Sequence, residues 1–391
     1  MTSAAPPRGR IPAGLLSVLA MVVLLGMGER LAERFLPLYI MALGGGAVAI
    51  GALNGMDNLL SALYSFPGGY LSDRLGHKRA LLIFNLIAIF GYLIVIVFPV
   101  WQAVLVGAVF FISWSAISLP ATMSVIATVL PARRQTVGVS MHSLVRRVPM
   151  ALGPLLGGLL IVRYGEVTGV RIAFTLAILF GLLALVFQQR MLDEPPAETP
   201  RGQSNLRVVF AALPPALRRL LVSDILVRFC EQIPYAFVVV WAVTIHGITP
   251  AQFGVLTTIE MATAVLVYLP VAALADRTTK KPFVLITFGF FTVFPLILLF
   301  SRTFGWLVVA FIVRGLKEFG EPARKSLIMD LAPEGMKASG FGLYYLMRDS
   351  VVSLAAFGGA FLWLASPQVN FLTAFAFGLL GMVFFAVFAR E

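Results

Sequence analysis

Hydrophobic residues run through this chain in long blocks separated by short polar punctuation. Blocks long enough to cross a bilayer, about 20 residues each, lie near 12–41, 47–72, 80–98, 101–129, 137–162, 168–188, 219–245, 251–273, 282–300, 304–331, 338–364 and 368–388. Such runs predict an all-α polytopic membrane protein of twelve spanning helices. The most polar interruption, Asp193-Glu194-Pro195-Pro196-Ala197-Glu198-Thr199-Pro200, sits near the chain's midpoint and divides six spans from six. The expected organisation is a six-helix bundle at 1–189, a linker at 190–218 and a second six-helix bundle at 219–391.

The two bundles repeat one another. Arg30-x-x-Glu33 returns as Arg228-x-x-Glu231. At one common offset Gly51, Asp57, Pro67, Asp73 and Arg74 meet Gly254, Glu260, Pro270, Asp276 and Arg277. At nearly the same offset Pro120, Gly138 and Arg146 meet Pro322, Gly340 and Arg348. Ten matches in order, with small drifts of the kind loop insertions produce, predict parallel repeats related by a pseudo-two-fold axis along the membrane normal.

Composition agrees. Of 391 residues 59% are hydrophobic and 12% charged, against about 25% charged in soluble proteins. The formal net charge of +12 would by itself raise nucleic-acid binding, but the basic residues follow the topology instead. Clusters such as Arg74/Lys78/Arg79, Arg133/Arg134, Arg218/Arg219 and Lys280/Lys281 fall in one set of loops, and only Arg163, Arg171 and Arg302 in the other. By the positive-inside rule both termini are cytoplasmic, in a plasma or inner membrane. Segment 13–28 lacks a small-residue cleavage site, which argues against a signal peptide. One cysteine, Cys230, excludes an internal disulfide. The histidines are scattered without metal-ligand spacing. There is neither a phosphate-cradling loop nor a nucleophile elbow. No cofactor, no metal, no nucleic-acid partner and no enzymatic activity are expected.

Charges at membrane depth carry the functional reading, because such groups are costly and mark pathways or relays. The basic ones are Arg30, Arg34, Arg146, Arg147, Arg228, Arg314, Lys317, Arg324, Lys325 and Arg348. The acidic ones are Glu29, Glu33, Asp57, Asp224, Glu231, Glu260, Glu318, Glu321, Asp330 and Asp349. At about 1.5 Å per residue, Asp57, Glu260, Arg314 and Arg348 fall near the midplane. Helices 3, 6, 9 and 12 carry no midspan charge and are expected to face lipid; helices 1, 2, 5, 7, 8, 10 and 11 are expected to line a cavity. Asp57 and Glu260 are the leading candidates for proton binding, with Glu29, Glu33 and Glu231 as alternatives. A static ion pair is the competing explanation for any of them.

The loop between helices 2 and 3, Gly69-Tyr70-Leu71-Ser72-Asp73-Arg74-Leu75-Gly76-His77-Lys78-Arg79, resembles the signature loop of the major facilitator superfamily. A degenerate copy, Ala272-Ala273-Leu274-Ala275-Asp276-Arg277, follows in the second half. The resemblance covers essentially the whole chain. It implies that Asp73, Arg74 and Arg79, echoed by Asp276 and Arg277, form an inner-gate latch, with Gly69, Gly76 and Lys78 part of the same motif. It also implies that symmetric arginines, Arg30 with Arg228 or Arg146 with Arg348, are candidates to clamp an anionic substrate. Each of Arg30 and Arg228 has a glutamate one turn on that competes for it. Glu33-Arg34-Phe35 resembles an element of some proton-coupled members. Gly153-Pro154-Leu155-Leu156-Gly157-Gly158 in helix 5 resembles the core of the antiporter signature, although close helix packing explains the same residues.

One departure stands out: residues 80–132 contain no Lys, Arg, Asp or Glu, so the usual helix-4 arginine is missing. A comparable arginine, Arg314, appears on helix 10, and with Lys317 and Glu318 it joins Arg30, Arg228, Arg146 and Arg348 as a candidate to line the substrate cavity. The function expected is secondary active transport of a small organic solute by alternating access, proton-coupled, with export favoured. The alternative is an organic-anion or polar-metabolite exchanger or uptake symporter; a non-transporting receptor or scaffold is more remote. The expected partners are the solute, protons and the lipid bilayer, with a monomer as the working unit.

Overall fold

A computed structural model describes residues 13–112, 132–191, 210, 213–275, 279–332 and 337–388. In chain order the first half contains α1 (Ala13–Glu33), α2 (Leu36–Ala42), α3 (Ala47–Leu75), α4 (His77–Val97), α5 (Trp101–Phe111), α6 (Ala132–Tyr164) and α7 (Glu166–Met191). The second contains α8 (Pro215–Gln232), α9 (Phe237–Val240) continuing as a π-helical turn (Trp241–Ile245), α10 (Pro250–Ala275) and α11 (Lys281–Phe300). It ends with α12 (Phe304–Leu316), α13 (Glu321–Leu331), α14 (Lys337–Ala365) and α15 (Pro367–Phe388). The described residues are all-α in their regular structure, and helices occupy every predicted span. For the fourth, only its first half is described. Among the described residues, seven helical stretches are long and apolar enough to cross a membrane on length and composition. The predicted linker, 190–218, starts within the last turn of α7; 192–209 and 211–212 lie outside the described residues, and α8 starts at Pro215, four residues before the predicted span.

Three spans expected to be continuous are broken, and proline accompanies each break. Proline has no N–H for the helix ladder and its ring crowds the preceding turn. Pro37 opens α2 after a turn at Arg34–Phe35, Pro234 sits in the turn between α8 and α9, and Pro322 opens α13 after the turn Lys317–Gly320. Interrupted backbone at membrane depth is tolerated where it is enclosed in protein or lines a cavity. Here Gly320 N–H is satisfied by Thr287 Oγ1 at 2.5 Å, and Phe237 N–H by the Pro234 carbonyl at 2.8 Å. The breaks set Glu33, Arg34, Glu231, Lys317 and Glu318 at or beside helix ends, facing the middle of the molecule.

The halves meet along two helix pairs, α3 with α14 and α6 with α10. A Cβ at Gly51 would stand 2.5 Å from the Ala360 methyl, and one at the repeat-equivalent Gly254 2.6 Å from Leu155 Cα. The same symmetry recurs within each half: Gly157 abuts the Leu31 carbonyl and Gly359 the Ile233 carbonyl. Small residues let these helices approach so closely that only glycine fits.

Between α2, α9 and their neighbours lies a buried aromatic cluster. Phe35 meets Phe253 edge-on across the halves at 5.9 Å, Phe253 meets Phe311 at 5.6 Å, and Phe237 stacks on Trp363 at 4.7 Å. Trp241 donates its indole N–H to the Leu298 carbonyl at 3.1 Å, so the apolar plug leaves this polar handle satisfied. On the outside, α4 exposes Leu86, Phe90, Leu93 and Val97, α7 exposes Leu179, Leu182 and Val186, and α15 exposes Leu380, Val383 and Val387. These apolar surfaces belong to the predicted lipid-facing spans.

Candidate functional site

The helix breaks and the two glycine-lined seams enclose a cavity of about 500 Å³. Arg30, Arg34, Arg146, Arg147 and Met150 line it from the first half. The second half contributes Arg228, Glu231, Gln232, Tyr235, Glu260, Met261, Tyr268, Lys317, Glu318, Glu321 and Lys325. A smaller chamber of about 70 Å³ adjoins it and shares Arg34 and Tyr235. Glu29, Glu33, Asp57 and Arg314 supply its polar wall; Leu36, Leu53, Tyr92, Phe111, Phe174 and Phe253 are among its apolar lining. The chamber reaches toward the aromatic plug. The cavity extends the other way, toward Arg146, Tyr268 and Lys325.

Most charges in these walls are locked together. Arg30 pairs with Glu33 at 2.5 Å and Glu29 at 3.8 Å. Its repeat partner Arg228 pairs with Glu231 at 2.5 Å and Glu321 at 3.7 Å. Glu231 is held from its other side by Lys317 at 2.8 Å. The intrahelical glutamates thus occupy both arginines expected to clamp an anion. Glu260 is fully buried, 3.3 Å from Arg314 and 3.6 Å from Lys317. It sits in an ion cluster, the arrangement that competes with the expected role as a proton carrier.

Arg348, expected in the substrate cavity, lies elsewhere. It is buried in the second half beside Asp349 at 2.7 Å and Asp224 at 3.5 Å, with its guanidinium 4.1 Å from the Tyr345 ring. Asp224 also binds Arg324, which in turn chelates Glu321 through two nitrogens at 2.7 and 2.9 Å. Tyr344 donates its hydroxyl to Asp224 at 3.0 Å. Arg146, the repeat-equivalent of Arg348, does line the cavity. The sequence offset therefore carried the residue type between the halves but not its surroundings.

Against this paired background three groups stand apart. Asp57 has no Lys or Arg nitrogen within 4.0 Å among the described residues, and Arg34 and Arg146 have no carboxylate within that distance. Arg34 lies over the Tyr235 ring at 5.0 Å, and Arg314 of the other half approaches the same ring at 5.5 Å. Tyr235 is thus held between cations from the two halves, a contact worth on the order of 0.5–2 kcal/mol per cation.

Four side-chain hydrogen bonds join the halves among the described residues. Asn54 donates to the Gln232 carbonyl at 3.0 Å, Asn58 to Gln232 Oε1 at 3.1 Å, and Thr258 to the Ala151 carbonyl at 2.8 Å. The fourth is the ion pair between Arg147 and Glu318 at 3.0 Å, with Arg147 also 4.9 Å from the Tyr268 ring. Sequence reading picked out Glu318 but missed Tyr235, Gln232, Asn54 and Asn58. Amides and a tyrosine within apolar helices carry no charge signal, and only Asn54-x-x-x-Asn58, one helical turn apart, could have drawn attention.

The helix-5 run contributes packing. Gly153 abuts Arg30, Gly157 abuts Leu31 and Gly158 abuts Pro250, while Pro154 lies inside α6. Of the signature loop, Gly76 joins α3 to α4 with φ +82°, a left-handed conformation that only glycine adopts without strain. The Lys78 carbonyl accepts from Gln188 Nε2 at 2.7 Å, and Arg79 is exposed. Gly69, Asp73 and Arg74 lie in the last turns of α3, where backbone alone is described; Asp276 and Arg277 lie outside the described residues.

Comparison with known proteins agrees with this architecture. A family model described as Major Facilitator Superfamily matches residues 18–230 and again 220–391. An uncharacterized MFS-type transporter of Methanocaldococcus jannaschii is 22% identical over 362 residues, covering 88% of this chain and 87% of that protein. Among solved structures, the nucleoside transporter NupG superposes with a TM-score of 0.79 at 16% identity, over 96% of this chain and all of that one. A peptide transporter POT in complex with sulfate gives 0.79 at 16%, over 98% and 95%. A bacterial homolog of the human lysosomal transporter Spinster, inward-facing and unoccupied, gives 0.76 at 14%, over 96% and 97%.

Proposed function

The chain belongs to the Major Facilitator Superfamily, a membrane transporter fold, and from that premise we propose that it is a proton-coupled secondary transporter of a small organic solute. It works by alternating access, as a monomer, in a plasma or inner membrane with both termini in the cytoplasm. The observation that carries the coupling is Asp57: a carboxyl group in the chamber wall, without a basic partner, among residues whose other carboxylates are engaged. A carboxylate fixed in an ion pair gives up its charge only at the cost of stranding its partner. Asp57 exchanges a proton without that cost, and Glu260 does not.

The cavity wall runs out to Arg146, Tyr268 and Lys325, near the expected cytoplasmic ends of their helices, and the aromatic cluster fills the space between α2, α9 and their neighbours. With the orientation expected from the basic loops, we read this as an inward-open arrangement. The latch reading of Asp73, Arg74 and Arg79 with Asp276 and Arg277 belongs to the opposite state, in which those loops approach. Packing accounts for each glycine of the helix-5 run, so that run is not carried forward as an argument for export.

The test is solute flux in proteoliposomes with an imposed pH gradient. Wild-type flux should follow the gradient, Asp57→Asn should uncouple it, and Glu260→Gln should lower the amount of folded protein instead. Flux indifferent to the gradient and to Asp57→Asn would remove proton coupling. Asp73→Asn should slow transport while leaving membrane insertion intact; unchanged flux would remove the latch.

A further inference from the structure

The charge balance of the large cavity points to the class of solute. Seven basic side chains face it against four carboxylates, and each of those four is already paired with a base. Of the basic groups, Arg34 and Arg146 alone have no carboxylate within 4.0 Å among the described residues. Both are half-buried, both belong to the first half, and both line the cavity. A guanidinium keeps its charge in such a wall and presents a planar fork of donors suited to carboxylate or phosphate. Desolvated cations without counter-ions are unfavourable, and an incoming anion relieves both at once.

We infer that the transported solute is an organic anion bearing a carboxylate or phosphate group, held by Arg34 and Arg146. This rests on the transporter reading above and names the substrate class of the same cavity. Arg34 also borders the smaller chamber, where Asp57 faces Glu29, Glu33, Tyr92, Tyr235 and Arg314. Negative charge arriving at Arg34 makes the neutral form of Asp57 the less costly one. The anion and a proton therefore favour each other's binding, which is the linkage of a symporter and not of an exchanger. The apolar lining beyond Arg34 accommodates a hydrophobic portion of the solute.

The test uses the purified full-length protein and reads thermal stabilisation, since a bound ligand raises stability by mass action. The probes are citrate, succinate, salicylate and phenyl phosphate, set against neutral glucose and uridine and cationic choline. At least one anion should stabilise the wild type saturably. Arg34→Gln and Arg146→Gln should each weaken that anion tenfold or more, while Arg34→Lys retains part of the effect. Neither arginine has a carboxylate partner to strand; Arg146→Gln should melt near the wild type without ligand, whereas Arg34→Gln gives up its contact with the Tyr235 ring and is judged by its affinity for the anion relative to its own unliganded melting. Anion binding should take up protons from a weakly buffered solution, and Asp57→Asn should abolish that uptake. The inference is overturned if no anion stabilises the protein, or if stabilisation survives both glutamine variants unchanged. Stabilisation and gradient-driven flux of choline or uridine would leave the transporter reading standing and remove the anion. Arginine-dependent anion binding with no flux under any gradient would do the reverse.

Discussion

In the first half, the ionisable groups that face the cavity and its adjoining chamber include three that stand apart: Arg34, Arg146 and Asp57. In the second half they interlock, with Glu260 between Arg314 and Lys317, Glu231 between Lys317 and Arg228, and Asp224, Glu321, Arg324 and Arg348 in one buried cluster. Yet the halves pack alike. Gly51 and Gly254 make equivalent contacts across the halves, and Gly157 and Gly359 equivalent contacts within them. Duplication conserved the close approach of helix backbones, because a helix seam tolerates nothing larger than glycine at those points. Charges at repeat-equivalent positions were free to diverge once neighbouring residues changed. The contrast teaches a division of labour: the second half is cross-linked ionically, and the first is left able to respond to solute and proton.

The sharpest way to break this comparison is to remove one arginine from each half. Arg324→Leu should destabilise the protein by about 3–5 kcal/mol, because it strands Asp224 and Glu321 in a buried site. Arg146→Leu should change stability by no more than about 0.5 kcal/mol. Melting of the two variants in the same detergent decides it, and equal losses would erase the asymmetry.

Valine at Gly157 and at Gly359 probes the shared packing instead. Each should cost about 1–3 kcal/mol or more, since overpacking forces helices apart. A large loss at only one of the two would show that the seams are not equivalent after all.

The carboxylates offer a third contrast. Glu260→Gln leaves buried Arg314 without its counter-charge and should cost about 1–3 kcal/mol. Asp57→Asn, with no partner to strand, should leave melting within about 0.5 kcal/mol of the wild type while transport loses its response to pH. Loss of folded protein in the asparagine variant would place Asp57 in the scaffold rather than in coupling.

Much of the architecture was legible in the chain. The span pattern, the midpoint division and the repeat offsets of Gly51, Asp57 and Arg30 anticipated an all-helical protein in two related halves. Within the candidate site, Arg30 with Glu33 and Arg228 with Glu231 were readable because their spacing sets them one turn apart on one helix. Local periodicity is enough for such pairs.

Which charges remained available was decided only when helices far apart in sequence came together. Glu260 and Asp57 are equivalent by offset, but Arg314 and Lys317 reach Glu260 and not Asp57. Arg348 and Arg146 are equivalent too, but Asp224 reaches only Arg348. The breaks at Pro37, Pro234 and Pro322 fell inside spans expected to be continuous, and the direction in which each broken helix presents its charges depended on packing against the opposite half. Hydrophobic length and spacing are properties of a segment and can be read along it. Whether a buried charge is compensated depends on the few ångströms between side chains from different segments, and only the folded arrangement sets that distance.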